Sequence, residues 1–321
     1  MKKTFSAAMI VIGTVIGSGF ASGKEIAVFF SRFGAVSYFF IALTFFAFFA
    51  IIYAFFSLGE KALNKLAASK FFSIICVIIS LIFTASMIAG TINVLPDNIY
   101  VKIVFVAVLF LICCRVSKKG VPMLAKLNNL LIPATLVCLL VVLISNFGMP
   151  DFSALRGQNA FAGLFFAVLY WVLNFSISGL VIAKTGLDMT KKQKVLASLI
   201  SSLILSAFLL LTNFVLLSNP ASMEEGMPLV FLSSGVKGIL IRFVVFSGCI
   251  TTLFSLVFTT AETLKKFNLS QKLIYFIAII FPGLASLFGF GAIVSFLYPF
   301  ASVLGVLLLM ILFFTPQKDT S

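Results

Sequence analysis

Long apolar runs alternate along this chain with short polar connections, and the connections carry most of the lysines. A helix crossing the hydrocarbon core of a bilayer needs about 20 apolar residues. Ten such runs can be laid out, at roughly 5–31, 35–58, 71–94, 101–115, 121–146, 160–184, 193–218, 238–262, 272–288 and 290–314. The pattern predicts an all-α integral membrane protein of ten transmembrane helices. Two boundaries are weak: the fourth run is short, and only Phe288-Gly289-Phe290-Gly291 separates the last two. Residues 1–321 read as one membrane domain, with no polar stretch long enough to build a separate core. Ten spans divide into two copies of five, about 5–146 and about 160–314. Because five is odd, the second copy would lie inverted in the membrane.

Two runs break their own pattern. The first contains Gly13-Thr14-Val15-Ile16-Gly17-Ser18-Gly19-Phe20-Ala21-Ser22-Gly23. Glycine costs roughly 1 kcal/mol against alanine in a helix interior, so this stretch reads either as a broken helix or as a small-residue packing face. The sixth run, first of the second copy, holds Asn174-Phe175-Ser176-Ile177-Ser178-Gly179 beside the only tryptophan, Trp171. Interruptions at matching places in two halves point to a midplane binding site between discontinuous helices 1 and 6. Polar helix–helix contacts are the plainer reading of the same residues.

Composition agrees with the membrane assignment: 62% hydrophobic, 10% charged, mean hydropathy +1.22. The formal charge of +14 is explained by topology and not by nucleic acid. With the N-terminus cytoplasmic, each cytoplasmic connection holds at least three basic residues, including Lys61, Lys65, Lys118 and Lys119, with Lys318 in the tail. The outer side holds only Lys24, Arg32, Lys102, Arg156, Lys237 and Arg242. This is the positive-inside pattern, with both termini cytoplasmic. Met1-Lys2-Lys3 followed by an apolar run also resembles a signal peptide, but cleavage would destroy the two-copy symmetry. Cys76, Cys113, Cys114, Cys138 and Cys249 all lie in apolar runs, as small core residues do. Histidine is absent, and no span pairs two acids, which leaves nothing for enzymatic acid–base chemistry.

Mid-span in the eighth run, Gly248-Cys249-Ile250-Thr251-Thr252 offers two hydroxyls, hard oxygen donors suited to a cation such as sodium. Threonine in a membrane helix also bonds back to its own backbone, so the pair alone decides nothing. The Ile16-Gly17-Ser18-Gly19-Phe20 core resembles the first-helix motif of the amino acid–polyamine–organocation superfamily. Through Lys24-Glu25-Ile26 and Phe29-Phe30 the segment looks most like the YkvI-type bacterial membrane proteins, near the branched-chain amino acid carriers. The resemblance spans the chain as a bare core of inverted five-helix repeats, although its sharp motif is confined to helix 1. It implies a bacterial cell-membrane protein in which the carbonyls of Gly13, Ile16 and Gly248 and the hydroxyls of Thr251 and Thr252 hold one sodium ion. It further implies that the amides at Gly17, Ser18 and Gly19 take a substrate carboxylate. Asn174, Phe175, Ser176, Ser178 and Gly179 would line the opposite wall.

Lys126 in the fifth run could replace sodium in a proton-linked or exchange mechanism, as in some relatives; the plainer reading is a snorkelling boundary residue. Lys24 and Glu25 follow the first break and could form an outer gate or sense a substrate ammonium, or be an ordinary interface pair. Residues 219–237 could form a short helix over the outer entrance or a solvated loop. The expectation is a secondary transporter of a small zwitterionic solute, an amino acid, coupled to sodium, with no resident cofactor. Its partners are that small-molecule substrate and the lipid bilayer, with no obligate protein partner. A non-transporting receptor on the same scaffold, like the membrane subunit of spore germinant receptors, is the alternative from another class.

Overall fold

The computed structural model describes residues 2–60, 69–96, 98–119, 121–151 and 159–314. Lys61, Lys65, Arg156 and Lys318 lie outside these, as do the side chains of Cys113, Cys114, Lys118 and Lys119. The described residues are helical, with no strand among them.

The first apolar run is broken into α1 (Lys2–Val15), α2 (Ser18–Ser22) and α3 (Lys24–Phe29). There follow α4 (Ser37–Ser57), α5 (Lys70–Val94), α6 (Ile99–Lys119) and α7 (Val121–Ile144). Next come α8 (Ala160–Gly186) and α9 (Lys191–Leu217). Beyond a 3-10 turn at Pro220–Glu224 lie α10 (Pro228–Phe231) and α11 (Gly235–Leu264). The last two runs are irregular, with α12 (Gln271–Tyr275), α13 (Phe281–Ala285), α14 (Phe290–Ala292) and α15 (Tyr298–Phe314) joined through π-helical turns. Gly289, at φ 85°, separates the two runs. Among the described residues seven helices are long and apolar enough to span a membrane, eight with the bent α8 counted. This is a multi-pass membrane protein.

Apolar side chains face outward as well as inward. Phe39, Phe46 and Phe288 are each more than half exposed, as suits a lipid-facing surface. Serines and threonines turn inward and satisfy their hydroxyls four residues back along their own helix, as in Thr44 to Phe40, Thr84 to Ser80 and Thr91 to Met87. Side-chain bonds between helices then fix the packing. Trp171 Nε1 donates to Thr44 Oγ1 at 2.8 Å, tying α8 to α4. Asn213 of α9 bonds Ser31 and Ser37 at 2.8–3.2 Å.

The centre of the bundle is the first run. Every residue from Ala7 to Ala27 is buried, and α1 packs against α7, α8, α9 and α11. A helix apolar on all sides belongs inside. Its break is therefore surrounded by protein, the setting in which irregular backbone is tolerated at membrane depth.

Candidate functional site

Helix α1 stops at Val15 because the chain turns extended at Gly17 (φ −99°, ψ −164°). The Gly17 N–H, which a continuous helix would direct to the Gly13 carbonyl, bonds Val15 at 2.9 Å instead. The freed oxygens find a partner on α11. Thr252 Oγ1 lies 3.1 Å from the Gly13 carbonyl and 3.3 Å from that of Ile16. One turn earlier, Gly248 brings α11 so near that a Cβ there would stand 2.9 Å from the Ile16 carbonyl oxygen. Thr251 Oγ1 bonds the Ser247 and Gly248 carbonyls of its own helix, both at 3.1 Å. Gly13, Ile16 and Thr252 thus meet at one junction between the broken helix and α11, with Gly248 packed against the Ile16 carbonyl, whereas Thr251 bonds back within α11.

A third helix faces this junction. The Asn128 side chain on α7 lies over Gly13, with its amide carbon 2.8 Å from where a glycine Cβ would stand. Its Oδ1 and Nδ2 are both buried without a hydrogen-bond partner. Lys126, the α7 residue expected near this depth, is exposed. Two residues on a helix are separated by about 200° of rotation, so Asn128 faces inward and Lys126 outward. Asn128 is the polar residue of α7 that reaches the break.

On the other side of the break lies a second polar group. Ser18 Oγ is 3.2 Å from Ser86 Oγ, which accepts from the Tyr298 hydroxyl at 2.7 Å. The Ser18 N–H faces Met87 Sδ at 3.4 Å. Gly17 also leaves no space for a side chain, since its Cβ would stand 2.8 Å from the Met87 methyl. Gly19 is covered by the Glu25 carboxyl. Glu25 is 2% exposed, and its Oε2 has no hydrogen-bond partner. Tyr170 of α8 is fully buried with its hydroxyl unpartnered, and its ring packs on Phe29 and Phe30 at 5.6 and 5.0 Å. Ser86, Tyr170 and Tyr298 belong here although no sequence motif singles them out.

The second interruption takes another form. Helical residues continue through 174–179, and α8 bends sharply, by 57°, between Ser176 and Ser178. Asn174 Nδ2, Ser176 Oγ and Ser178 Oγ bond carbonyls four residues back, at 3.0, 2.6 and 2.7 Å. Such back-bonding bends a helix, which gives a physical reason for the sharp bend here. Phe175 packs on the rings of Phe48 and Phe55, and Gly179 gives Phe55 its space, so both face α4. Ser176 faces Gly305 of α15.

Residues 219–237 fold into the 3-10 turn and α10, and the turn is bound to helix 1. Lys24 Nζ donates to the Met223 and Glu224 carbonyls at 3.0 and 3.3 Å. Beside it opens a cleft of about 500 Å³ lined by Val28, Arg32, Met223, Glu224 and Ser295. At the far end of α1, Lys3 Nζ donates to the Asp188 carbonyl at 3.0 Å. There Lys184 of α8 pairs with Glu262 of α11 at 3.1 Å.

The whole chain is similar in fold to solved transporter structures. A substrate-bound, outward-open sodium-coupled sialic acid symporter superposes with a TM-score of 0.66 at 15% identity, over 97% of this chain and 79% of its own. A manganese transporter from Eremococcus coleocola gives 0.59 at 11% identity, over 95% and 76%. Mhp1, a nucleobase-cation-symport-1 family transporter in a closed conformation with bromovinylhydantoin bound, gives 0.51 at 13% identity, over 98% and 72%. At such identities the likeness is one of fold. No protein-family model matches the sequence, and no curated protein matches it either.

Proposed function

We propose that this chain is a secondary active transporter of a small zwitterionic solute, an amino acid, driven by sodium through alternating access. In this reading it has ten spans in two inverted five-helix repeats, with both termini cytoplasmic in a bacterial plasma membrane. The observation that carries it is the Thr252 hydroxyl lying between the Gly13 and Ile16 carbonyls at the break of a wholly buried helix. Those three oxygens are hard, neutral donors of the kind sodium takes, and in this reading the Gly248 carbonyl and the Thr251 hydroxyl of the same stretch of α11 complete the set. With the cation bound, Thr252 turns its proton away and offers a lone pair, and the ion takes over the bridging role of the hydroxyl proton. Sodium then ties the broken helix to α11 and favours conformations in which the two are together. Substrate bound on the other side of Gly17, at Ser18 and Gly19, shares that conformational preference. Cation and solute therefore raise each other's affinity by the same factor.

The test is solute binding and uptake by purified protein in liposomes, with sodium or potassium as the cation. The reading expects amino acid binding that strengthens in sodium, and uptake that follows an inward sodium gradient. Binding indifferent to sodium from pH 5 to pH 8 would overturn the coupling. The exposed position of Lys126 gives a lysine-based mechanism no geometric support.

A further inference from the structure

The first break carries a group that sodium coupling does not use. Glu25 has a carboxyl inside the bundle, 2% exposed, and its Oε2 has no partner. A lone carboxylate in a membrane interior is expensive to keep, and ionisable residues held there face a pathway or a ligand. None of the charged groups around it answers this one. On its own helix, Lys24 reaches away to the Met223 and Glu224 carbonyls. From the segment after α3, the Arg32 guanidinium lies over the Phe166 ring at 4.0 Å. α8 contributes the uncharged Tyr170, α9 contributes Thr212 and Asn213, and α15 contributes Tyr298, which donates to Ser86. The turn at Pro220–Glu224 adds another acid. Among the described residues no basic side chain pairs with Glu25.

We propose that Glu25, with the Tyr170 hydroxyl, receives the ammonium group of the transported solute, so that the site takes amines and amino acids and rejects carboxylates that lack an amine. The inference rests on the transport reading and narrows its substrate class. Four observations carry it. The carboxyl lies against Gly19, where no Cβ would fit, and so at the break itself. Tyr170 places a second unpartnered, fully buried oxygen on the facing helix. An ammonium group has three donors and no acceptor, which matches a site whose unpaired atoms are oxygens. Finally, a surface cleft beside Val28 and Met223 opens one turn along α3 from Glu25. A solute carrying only a carboxylate would meet like charge here. In an amino acid, Glu25 holds the ammonium end and the carboxylate points past Ser18.

The experiment uses sets of three ligands that share a side chain. Leucine is compared with isoamylamine and isocaproate, alanine with ethylamine and propionate, and phenylalanine with phenethylamine and hydrocinnamate. Binding to the full chain is read by thermal shift in sodium and by competition for uptake. The amino acid and the amine of at least one set are expected to bind, and no acid is. Glu25→Gln should weaken both by roughly tenfold or more, and Tyr170→Phe by less. The apo Tm of Glu25→Gln should not fall below that of the parent, which separates lost binding from lost folding. In the binding measurements, three outcomes would overturn the inference: acids bind as well as their amino acids, Glu25→Gln keeps its amine affinity, or no ligand of any set binds. If Glu25→Gln keeps its amine affinity while uptake loses its pH dependence, Glu25 is a proton carrier and not an ammonium site. Sodium-driven uptake of solutes without an amine would overturn this inference alone. Absence of any sodium effect on stability or uptake would overturn the sodium coupling, and binding without uptake of any solute would overturn the transport reading.

Discussion

Thr251 and Thr252 are one residue apart, about 100° around a helix, and that rotation separates their roles. Thr252 leaves its own helix to bond the broken one, whereas Thr251 bonds back to Ser247 and Gly248. Thr252→Ala should therefore remove the sodium-dependent rise in Tm and lower the baseline by about 1–3 kcal/mol, since two buried carbonyls lose a donor. Thr252→Ser should keep both, and Thr251→Ala should weaken the sodium response less than Thr252→Ala. Thermal unfolding in sodium and in potassium reads all three; equal loss in Thr251→Ala and Thr252→Ala would contradict the division. Asn128 gives a second residue-scale test. Its amide is buried with neither atom bonded, so Asn128→Leu, of similar volume, should leave stability in potassium unchanged or higher. A lower Tm there would show that the amide has a partner in the membrane-embedded protein. Asn128 was legible in the sequence by phase, because it shares the helix face of Leu124, Ile132, Thr135 and Leu139, all buried. Lys126 drew notice by its charge, although that face excludes it.

At the scale of elements, both glycine-containing interruptions could be read as binding or as packing, and each took a different course. In the first run Gly17 turns extended and frees carbonyls; the signal was four glycines within eleven positions. In α8 the hydroxyls are spaced so that each reaches the carbonyl four residues back, and the helix bends. A Cβ on Gly179 would meet the Phe55 ring, whereas one on Gly186 would meet the Phe56 backbone. A ring can rotate away and a backbone cannot. Gly186→Ala should therefore cost more than Gly179→Ala, with overpacking of about 1–3 kcal/mol concentrated in the former. Chemical unfolding of the two variants checks the order. Helix boundaries were legible to within a few residues, because apolar length and flanking lysines set them. What the sequence did not disclose was which polar residues from distant helices come together. Ser86 and Tyr298 are each unremarkable in their own run and meet only through packing.

For the whole molecule, alternating access on the transport reading would require that contacts closing the two ends of the bundle be broken in turn. One end is held by Lys24 on the turn at Pro220–Glu224, and the other by Lys3 on the Asp188 carbonyl and by the Lys184–Glu262 pair. These ends lie on opposite sides of the break. Cys249 can report on the first. It is a free thiol with no exposure, and its Sγ stands 3.1 Å from where a Cβ on Gly90 would lie, beside Ser18. Lys24→Met removes the two bonds to the turn while keeping the apolar stem. A lowering of the opening free energy by about 1 kcal/mol raises the open population roughly fivefold. Modification of Cys249 by a small maleimide, followed by mass spectrometry, should accelerate by about that factor in Lys24→Met. Cys76, buried on α5 away from the break, should keep its rate. Sodium and substrate together should slow Cys249 in both proteins as the chamber fills. Equal acceleration of Cys76 would mean that the substitution loosens the bundle as a whole, and an unchanged Cys249 would mean that Lys24 does not hold this end shut.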